Sequence, residues 1–311
     1  MKLAGRGWCV WLCVLAVGAI GRGQTPLKGL GEAGPVELIK DGFQFVEGPA
    51  KTPDGTVYFT DIPANIIYSL RPTDNGWEVE TFVNPSRHAN GLMYGGNNRL
   101  LACQMDGRVA AYDLSTKSET VLAEGYQGKR FNACNDLVVD RFGGIYFTDP
   151  RFRAPDPWPQ GVEAFYYLSA DGEVTRLGDD LAAPNGIILS PDEGTLYVVP
   201  SMQAEVMAFP VEGPGKLGDG KVLVRLKQRS GSSNGGGDGL SIDVKGNLYI
   251  TTAIGIQVVS PDGAILGVIE VPQQPANCTF CGADDRTLVI TARTGVYQCR
   301  MPVPGHQFRR E

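Results

Sequence analysis

The chain has 311 residues, 42% of them apolar, which is enough for one large hydrophobic core or two modest ones. Its formal net charge is −6, and losing Lys2, Arg6 and Arg22 with an N-terminal segment would make it −9. This acidic balance argues against nucleic acid as a partner.

Residues 1–23 have the features of a secretory signal peptide. Lys2 and Arg6 give a positive start, mostly apolar residues follow from Trp8 to Ile20, and small glycines precede Gln24. A run of this length is short for a membrane span, and an uncleaved anchor or a buried helix is the alternative. We therefore expect an exported protein, periplasmic or secreted, without membrane attachment after cleavage. A linker is expected over residues 24–35.

One unit recurs six times after this segment: a polar residue, an apolar strand, a turn rich in Gly, Asp and Asn, and a second apolar strand. The copies begin at Glu47, Asn90, Asn135, Asn185, Asp238 and Asn277. The third residues of the second strands serve as markers and are Tyr58, Leu101, Tyr146, Tyr197, Tyr249 and Val289. Steps of 43, 45, 51, 52 and 40 residues separate these markers. Such steps match the length of a four-stranded propeller blade.

The remaining segments complete the blades. Strand-like stretches between the copies, such as those on either side of Asp171-Gly172, supply the outer strands, and no segment has a sustained helical period. The sequence therefore predicts an all-β fold, a six-bladed β-propeller with a central metal site, over residues 36–304. A polar tail follows over 305–311. The segment Val36–Phe45 is predicted to pair into the last blade and so leave no open sheet edge.

The polar residue that begins each copy is the candidate functional feature. It lies 11 residues before its marker, or 12 in the fourth and sixth copies, where we infer a one-residue insertion in the turn. Radial repetition would bring the six side chains together near the central channel. Asn-Gly and Asp-Gly are also common turn dipeptides. Turn preference explains single copies but not all six, since Glu is a poor turn residue.

Two carboxylates and four amides suit a hard divalent cation, because calcium takes about 6 to 8 oxygen ligands in flexible geometry. Zinc or copper would favour imidazole or thiolate. The chain has only two histidines, His88 and His306. The Cys278-x-x-Cys281 pair has no second pair of soft ligands to complete a zinc site.

Five cysteines remain after the signal segment, in what we expect to be an oxidising compartment. They are Cys103, Cys134, Cys278, Cys281 and Cys299. The odd count leaves at least one unpaired if the others bridge within the chain, and the sequence does not choose a pairing.

The chain resembles the gluconolactonase and senescence-marker family of calcium-dependent six-bladed propellers, of which regucalcin is a member. The motifs that carry the resemblance are "FVEGP", "KRFNACNDLVV", "IYFTDP", "PNGIILSPDEGTLYVV" and "GDGLSIDVKGNLYIT". They extend over most of residues 37–300. The chain departs from the bacterial pattern at "NACNDL" and at "RFR" after Pro150, two stretches expected to face the substrate.

The resemblance implies roles for individual residues. Glu47, Asn185 and Asp238 match the metal ligands of the family, and Asn135 matches a further ligand close to metal or substrate. Asp238 also matches the catalytic base or its organiser. Asn90 enters through the repeat pattern alone.

The resulting hypothesis is a hydrolase that opens a sugar lactone, of the gluconolactonase type, to an aldonic acid. Calcium, or alternatively Zn²⁺, Mg²⁺ or Mn²⁺, polarises the carbonyl while Asp238 activates a water. Asn135, Asn90, Arg130 and Arg151 are the candidate substrate-binding residues. The partner is a small-molecule sugar lactone, and the oligomeric state is left open.

Three alternatives use the same architecture. One is a phosphotriesterase or other esterase acting at the same metal, as in the related diisopropylfluorophosphatases. Another is a non-catalytic binding propeller in which calcium is structural. The third is a condensing enzyme of the strictosidine synthase type, which relies on a glutamate in a roomy apolar pocket that this sequence does not reveal.

Overall fold

The computed structural model describes residues 23–74 and 76–308. Within these ranges the chain forms strands and no helices, so no helix is present that could cross a membrane. Six sheets of four or five strands surround one axis, and the predicted six-bladed propeller is confirmed. Their innermost strands contact one another in chain order, and the last contacts the first.

The strands of each blade are given from the axis outward. Blades 1 to 3 contain Val46–Lys51, Val57–Asp61, Ile66–Thr73 and Gly76–Val83; Ala89–Tyr94, Arg99–Gln104, Arg108–Asp113 and Glu119–Ala123; and Leu137–Val139, Ile145–Asp149, Ala164–Leu168 and Val174–Gly178. Blades 4 to 6 contain Pro184–Leu189, Thr195–Pro200, Glu205–Gly213 and Lys221–Arg225, with Lys216–Leu217 beside the third strand; Gly237–Ile242, Leu248–Thr252, Gly255–Val259 and Ile265–Ile269; and Asn277–Cys281, Thr287–Ala292, Gly295–Arg300 and Val36–Asp41. A short hairpin, Gly125–Tyr126 with Lys129–Arg130, precedes blade 3.

The hydrophobic core lies between neighbouring blades. The second strand of a blade is buried on both faces, as in Ile145–Asp149, whereas the outer strand Gly76–Val83 is mostly exposed. Aromatic rings fill the wedge between sheets: Tyr249 of blade 5 meets Phe280 of blade 6 edge-on, with centroids 5.0 Å apart. This difference in burial between inner and outer strands explains why the second strands gave the clearest markers in the sequence.

An N-terminal strand closes the ring, as predicted. Val36–Asp41 pairs antiparallel with Gly295–Arg300 as the outer strand of blade 6. The strand ends at Asp41, and the backbone N–H groups of Gln44 and Phe45 instead donate to the Asp61 carboxylate. Closure of this kind leaves the first and last blades paired rather than exposed as edges.

Short stretches of regular structure lie outside the blades. Within the expected linker 24–35, Thr25–Leu27 and Gly31–Ala33 form a hairpin, and Lys28 N–H donates to the Leu266 carbonyl of blade 5 (2.9 Å). In the tail, Gly305 bridges Asp243. The signal-peptide prediction concerns residues 1–23, of which 1–22 lie outside the described residues, as do 309–311.

The two long copies are long for different reasons. In blade 4 the turn is one residue longer, as predicted: Ser190 N–H bonds Thr195 O, whereas Asp140 N–H bonds Gly144 O in blade 3. Blades 1, 2, 4 and 5 have a register shift near the start of the innermost strand, and blade 6 has none. The hairpin of blade 6 contains one additional residue pair instead. The prediction of a turn insertion was therefore wrong for blade 6.

The five cysteines of the described chain are all buried free thiols. Burial raises the pKa values of Cys103 and Cys134 well above the ordinary thiol value. These side chains therefore act as small apolar groups in the core.

Glycines let the innermost strands approach one another. A Cβ on Gly48 would lie 1.9 Å from the Asn90 carbonyl oxygen, and one on Gly186 would lie 2.5 Å from the Asp238 carbonyl oxygen. These Asn-Gly and Glu-Gly pairs are therefore not turns: the glycine makes room for the first residue of the next blade.

Gly186→Ala is expected to lower the free energy of unfolding by about 1–3 kcal/mol, because backbone must move to admit the methyl group. Gly213→Ala is the matched control, since no atom lies within 4 Å of its Cβ position. Urea unfolding of both variants checks this. Equal stability of the two would contradict the close approach of blades 4 and 5.

Candidate active site

The six polar residues that begin the copies lie at the starts of the innermost strands, or two residues before the start in blade 3. We call them the polar ring: Glu47, Asn90, Asn135, Asn185, Asp238 and Asn277. Five of the side chains are buried and Asp238 is partly exposed. The structure thus brings together all the metal-ligand candidates predicted from the sequence.

Threonines of the second strands hold neighbouring ring residues in place. The hydroxyl of Thr148 donates to the Asn185 carbonyl of the next blade (2.7 Å) and accepts from Asp136 N–H (3.1 Å). Thr60 donates in the same way to the Asn90 carbonyl (3.1 Å). The backbone of the polar ring is therefore fixed across blade boundaries.

A chain of hydrogen bonds orients the amide of Asn185. Its Nδ2 donates to Ser201 Oγ (3.0 Å) and to Asp238 Oδ1 (2.6 Å), and the Ser201 hydroxyl donates to the Gly237 carbonyl (2.9 Å). Both amide protons are thus used within the protein. The side-chain oxygen Oδ1 of Asn185 is left free to accept a hydrogen bond from a ligand or to coordinate a cation.

The carboxylates of the site, buried Glu47 and partly exposed Asp238, lie close to one another. Burial, followed by repulsion from Asp238, raises the pKa of Glu47 well above its ordinary value. Burial raises the pKa of Asp238 to about 6, while the Asn185 amide and the positive charge of Arg293 act in the opposite direction. None of these acids has an ion pair with a basic side chain of the described chain.

Asp136 is a third acid in this cluster, and sequence reasoning did not include it among the site residues. It is 8% exposed, burial raises its pKa to about 7, and its carboxylate bonds Leu137 N–H (2.9 Å) and the Asn277 side chain. A signal was present: four copies have glycine after the ring residue, and this copy has an acid. The Asp136 carboxylate fills the space that Gly91 leaves open.

The donor set fits a hard divalent cation. In residues 23–74 and 76–308 no three His, Cys, Asp or Glu side chains gather to hold a metal, so a site here must use amide oxygens. Glu47 and Asp238 supply two carboxylates without an ion pair to a basic side chain of the described chain, and Asn185 presents an oriented side-chain carbonyl oxygen. Such a combination of carboxylate and amide oxygens suits Ca²⁺ better than a metal that favours nitrogen or sulfur ligands.

A family model matches most of the chain. The family model described as the SMP-30/Gluconolactonase/LRE-like region matches residues 45–294. The chain belongs to this family. The resemblance drawn from the sequence motifs is thereby confirmed.

Individual members of the SMP-30/gluconolactonase/LRE-like family match most of the chain. A gluconolactonase of Zymomonas mobilis is 33% identical over 293 residues, which cover 86% of this chain and 81% of that protein. The solved structure of a gluconolactonase of Xanthomonas campestris has a TM-score of 0.78 at 29% identity, covering 90% of this chain and 95% of its own. A calcium-binding regucalcin of Agrobacterium tumefaciens shares the fold, with a TM-score of 0.72 at 21% identity over 88% and 97% of the two chains.

The two arginines predicted to bind substrate have other contacts. Arg130 donates to the carbonyls of its own loop, at Phe131 (3.0 Å) and Asn132 (3.2 Å). Arg151 stacks on Trp158, 4.9 Å from the ring centroid, and lies 3.9 Å from Glu163. Within the described residues, neither guanidinium has a hydrogen bond or ion pair with the polar ring. Substrate binding by Arg130 and Arg151 therefore stays a prediction.

A cavity of about 550 Å³ lies at the end of the channel away from the starts of the innermost strands. It is lined by later residues of the innermost strands, such as Leu92 and Ile187, and its other side includes His306 and Phe308 of the tail. Asp136 and Asn277 also line it. This lower cavity therefore lies on the far side of the polar ring from the loops that precede the innermost strands.

Ser201→Ala is expected to weaken divalent-cation binding by roughly tenfold, because it frees the Asn185 amide to turn. Calcium titration calorimetry measures the affinity, and Ser201→Thr should restore it by returning a hydroxyl. Ser190→Ala is the matched control in the same blade, since its hydroxyl bonds Asp192 in a distant turn. Equal calcium affinity in Ser201→Ala and Ser190→Ala would disprove the orienting role.

The raised pKa values predict how stability changes with pH. Asp136, Asp149 and Asp238 have pKa values of about 7, 7 and 6 in the fold, against about 3.9 in an unfolded chain. Between these values the metal-free fold binds more protons than the unfolded chain, so the stability that these three groups contribute is fully present below about pH 4 and is lost as pH rises to about 7.

Thermal melts of the chelated protein from pH 4 to 8 test this direction. Added calcium should raise the melting temperature more at pH 7.5 than at pH 5, because the cation displaces protons from the carboxylates. A calcium-dependent shift that is the same at both pH values would contradict titration of the site acids.

Proposed function

We propose that this protein hydrolyses a sugar lactone to the open aldonic acid at the polar ring. The single observation that carries the proposal is the cluster of Glu47, Asn185 and Asp238, two acids and an oriented amide in which neither acid has an ion pair with a basic side chain of the described chain. At the level of reaction class, the predicted hydrolase acting on a cyclic ester is confirmed by relatives named gluconolactonase.

Calcium is the proposed ion, with Zn²⁺, Mg²⁺ or Mn²⁺ as alternatives, held by Glu47, Asn135, Asn185 and Asp238. When bound, it would supply Lewis-acid polarisation of the lactone carbonyl and stabilise negative charge on that oxygen. The choice of calcium rests on the donor set of this chain, since the calcium-binding description of the Agrobacterium propeller belongs to that protein.

Asp238 is proposed to act on the attacking water. Its carboxylate accepts a proton as the water oxygen bonds to the carbonyl carbon, and the bond from that carbon to the ring oxygen then breaks. The ring oxygen takes the proton and becomes a hydroxyl group, so the product is the aldonic acid. Burial raises the pKa of Asp238 to about 6 in the metal-free fold, and a bound cation would lower it, so Asp238 is ionised at neutral pH and available to accept the proton.

Other residues of the site prepare this step. The hydrogen bond from Asn185 Nδ2 holds the Asp238 carboxylate in place through Oδ1. Asn135 and Asn90 are proposed to contact substrate hydroxyl groups, with Arg130 and Arg151 at the rim. Export through the N-terminal segment would place this activity in the periplasm or outside the cell.

The proposal is tested with D-glucono-1,5-lactone and the purified protein, using a pH indicator and subtracting spontaneous hydrolysis. We expect turnover that stops on chelation and returns with calcium. Asp238→Asn should lower kcat by at least about a hundredfold, the usual size of a general-base contribution.

Asp262→Asn is the charge-matched control, because this acid lies in an exposed turn of the same blade and bonds only local groups. It should retain wild-type turnover. Tight calcium binding without hydrolysis of any sugar lactone would overturn the proposed function and favour a phosphotriester substrate or a structural ion.

A further inference from the structure

Arg293 lies in the turn between the second and third strands of blade 6. The Arg293 carbonyl accepts a hydrogen bond from the N–H of Val46 (2.8 Å), which directly precedes Glu47. Thr291, two residues before Arg293, pairs with Asn277. The turn therefore crosses the edge of the polar ring between blades 6 and 1. It does so on the side opposite the lower cavity.

The side chain of Arg293 stacks on an aromatic ring but forms no ion pair with a described residue. Its guanidinium lies 5.2 Å from the centroid of the Phe45 ring, and Phe45 is fixed through its N–H to Asp61 (3.0 Å) and by packing against Ile62 and Met105. The residue as a whole is exposed. Stacking on a half-buried aromatic ring restricts the arginine without using its N–H donors.

No described residue pairs with this guanidinium. Unlike Arg130, whose N–H groups bond its own loop, and Arg151, which faces Glu163, Arg293 has no side-chain hydrogen bond and no carboxylate within 4.0 Å in residues 23–74 and 76–308. An arginine that is positioned but keeps its N–H donors free is suited to a ligand with two acceptor oxygens.

The positive charge of Arg293 also acts on Asp238 of the polar ring. Because no carboxylate of residues 23–74 and 76–308 lies within 4.0 Å of the guanidinium, this longer-range interaction leaves its N–H donors free. A cation at the mouth of a channel attracts an anion. An anionic group of a ligand is therefore expected to bind these donors.

We propose that Arg293 recognises an anionic group that the substrate carries outside its lactone ring. The substrate class is then the lactone of an acidic sugar, with a carboxylate or a phosphate at the end of the chain remote from the reacting carbonyl. This inference rests on the proposed lactonase function and adds the substrate class. Arg293 contacts the substrate in this scheme and takes no part in proton transfer.

Three lactones separate the possibilities: neutral D-glucono-1,5-lactone, the carboxylate D-glucaro-1,4-lactone, and 6-phospho-D-glucono-1,5-lactone. The readout is the ratio of kcat/KM on each acidic lactone to that on the neutral one, with the calcium-loaded full chain. We expect a ratio above one, and the lactone with the larger ratio identifies carboxylate or phosphate as the preferred group.

Arg293→Gln should lower this ratio by roughly ten- to a hundredfold, the factor for one hydrogen bond to a charged group. Arg293→Lys, which keeps the charge but loses the planar fork, should lower it less. Arg71→Gln removes the same charge from an exposed pair with Glu80 in blade 1 and should leave the ratio unchanged.

Two results would overturn the inference while leaving the lactonase function intact. One is a ratio that Arg293→Gln does not change. The other is an equal loss of kcat/KM on all three lactones, which would place Arg293 at the reacting carbonyl rather than at a remote acid group. Absence of turnover of every lactone by the wild-type protein would instead overturn the proposed function.

Discussion

The close approach of six innermost strands to one axis is the constraint on which the rest of the structure depends. Side chains at the starts of these strands converge, and in four of the six blades the residue that follows must leave room for the next blade. Glycine does so at Gly48, Gly91, Gly186 and Gly239. The crowding also removes water from the ring side chains, which raises the pKa values of the acids and makes a cation the natural complement of the site.

The site is consequently costly for the metal-free fold. Buried acids without cationic partners destabilise the protein when they ionise, and only a ligand that binds the ionised form reverses this effect. The surrounding hydrogen bonds do not neutralise the charge; those of Thr148 and Ser201 fix backbone and amide positions instead. Preorganisation and instability thus have the same origin, as is common where binding groups are held ready for a ligand.

The repeat was sufficient to predict the blades, the closure by a strand that begins at Val36 and the members of the polar ring, because each depends on periodic burial that the sequence records directly. The predicted closing segment extended to Phe45, four residues beyond the end of the strand. Features set by packing between blades were not accessible in this way. The sequence suggested only that Asp136 belongs to a strand, because the contact of its carboxylate with Gly91 of the neighbouring blade depends on packing. The orientations of Arg130 and Arg151 depend on loop carbonyls and on Trp158, which no periodic pattern encodes.

The two ends of the channel differ in a way that assigns them different tasks. The lower cavity is lined by apolar residues of the innermost strands together with polar ones such as Lys51 and Thr279, and its wall includes Phe308 of the tail, but neither Asp238 nor Arg293 lines it. The opposite end presents Asp238, which is partly exposed, and the free guanidinium of Arg293. A polar substrate is therefore expected to enter there, with its carbonyl toward the ring and its distal group toward blade 6. The asymmetry follows from strand direction alone, because all six innermost strands begin at the same end.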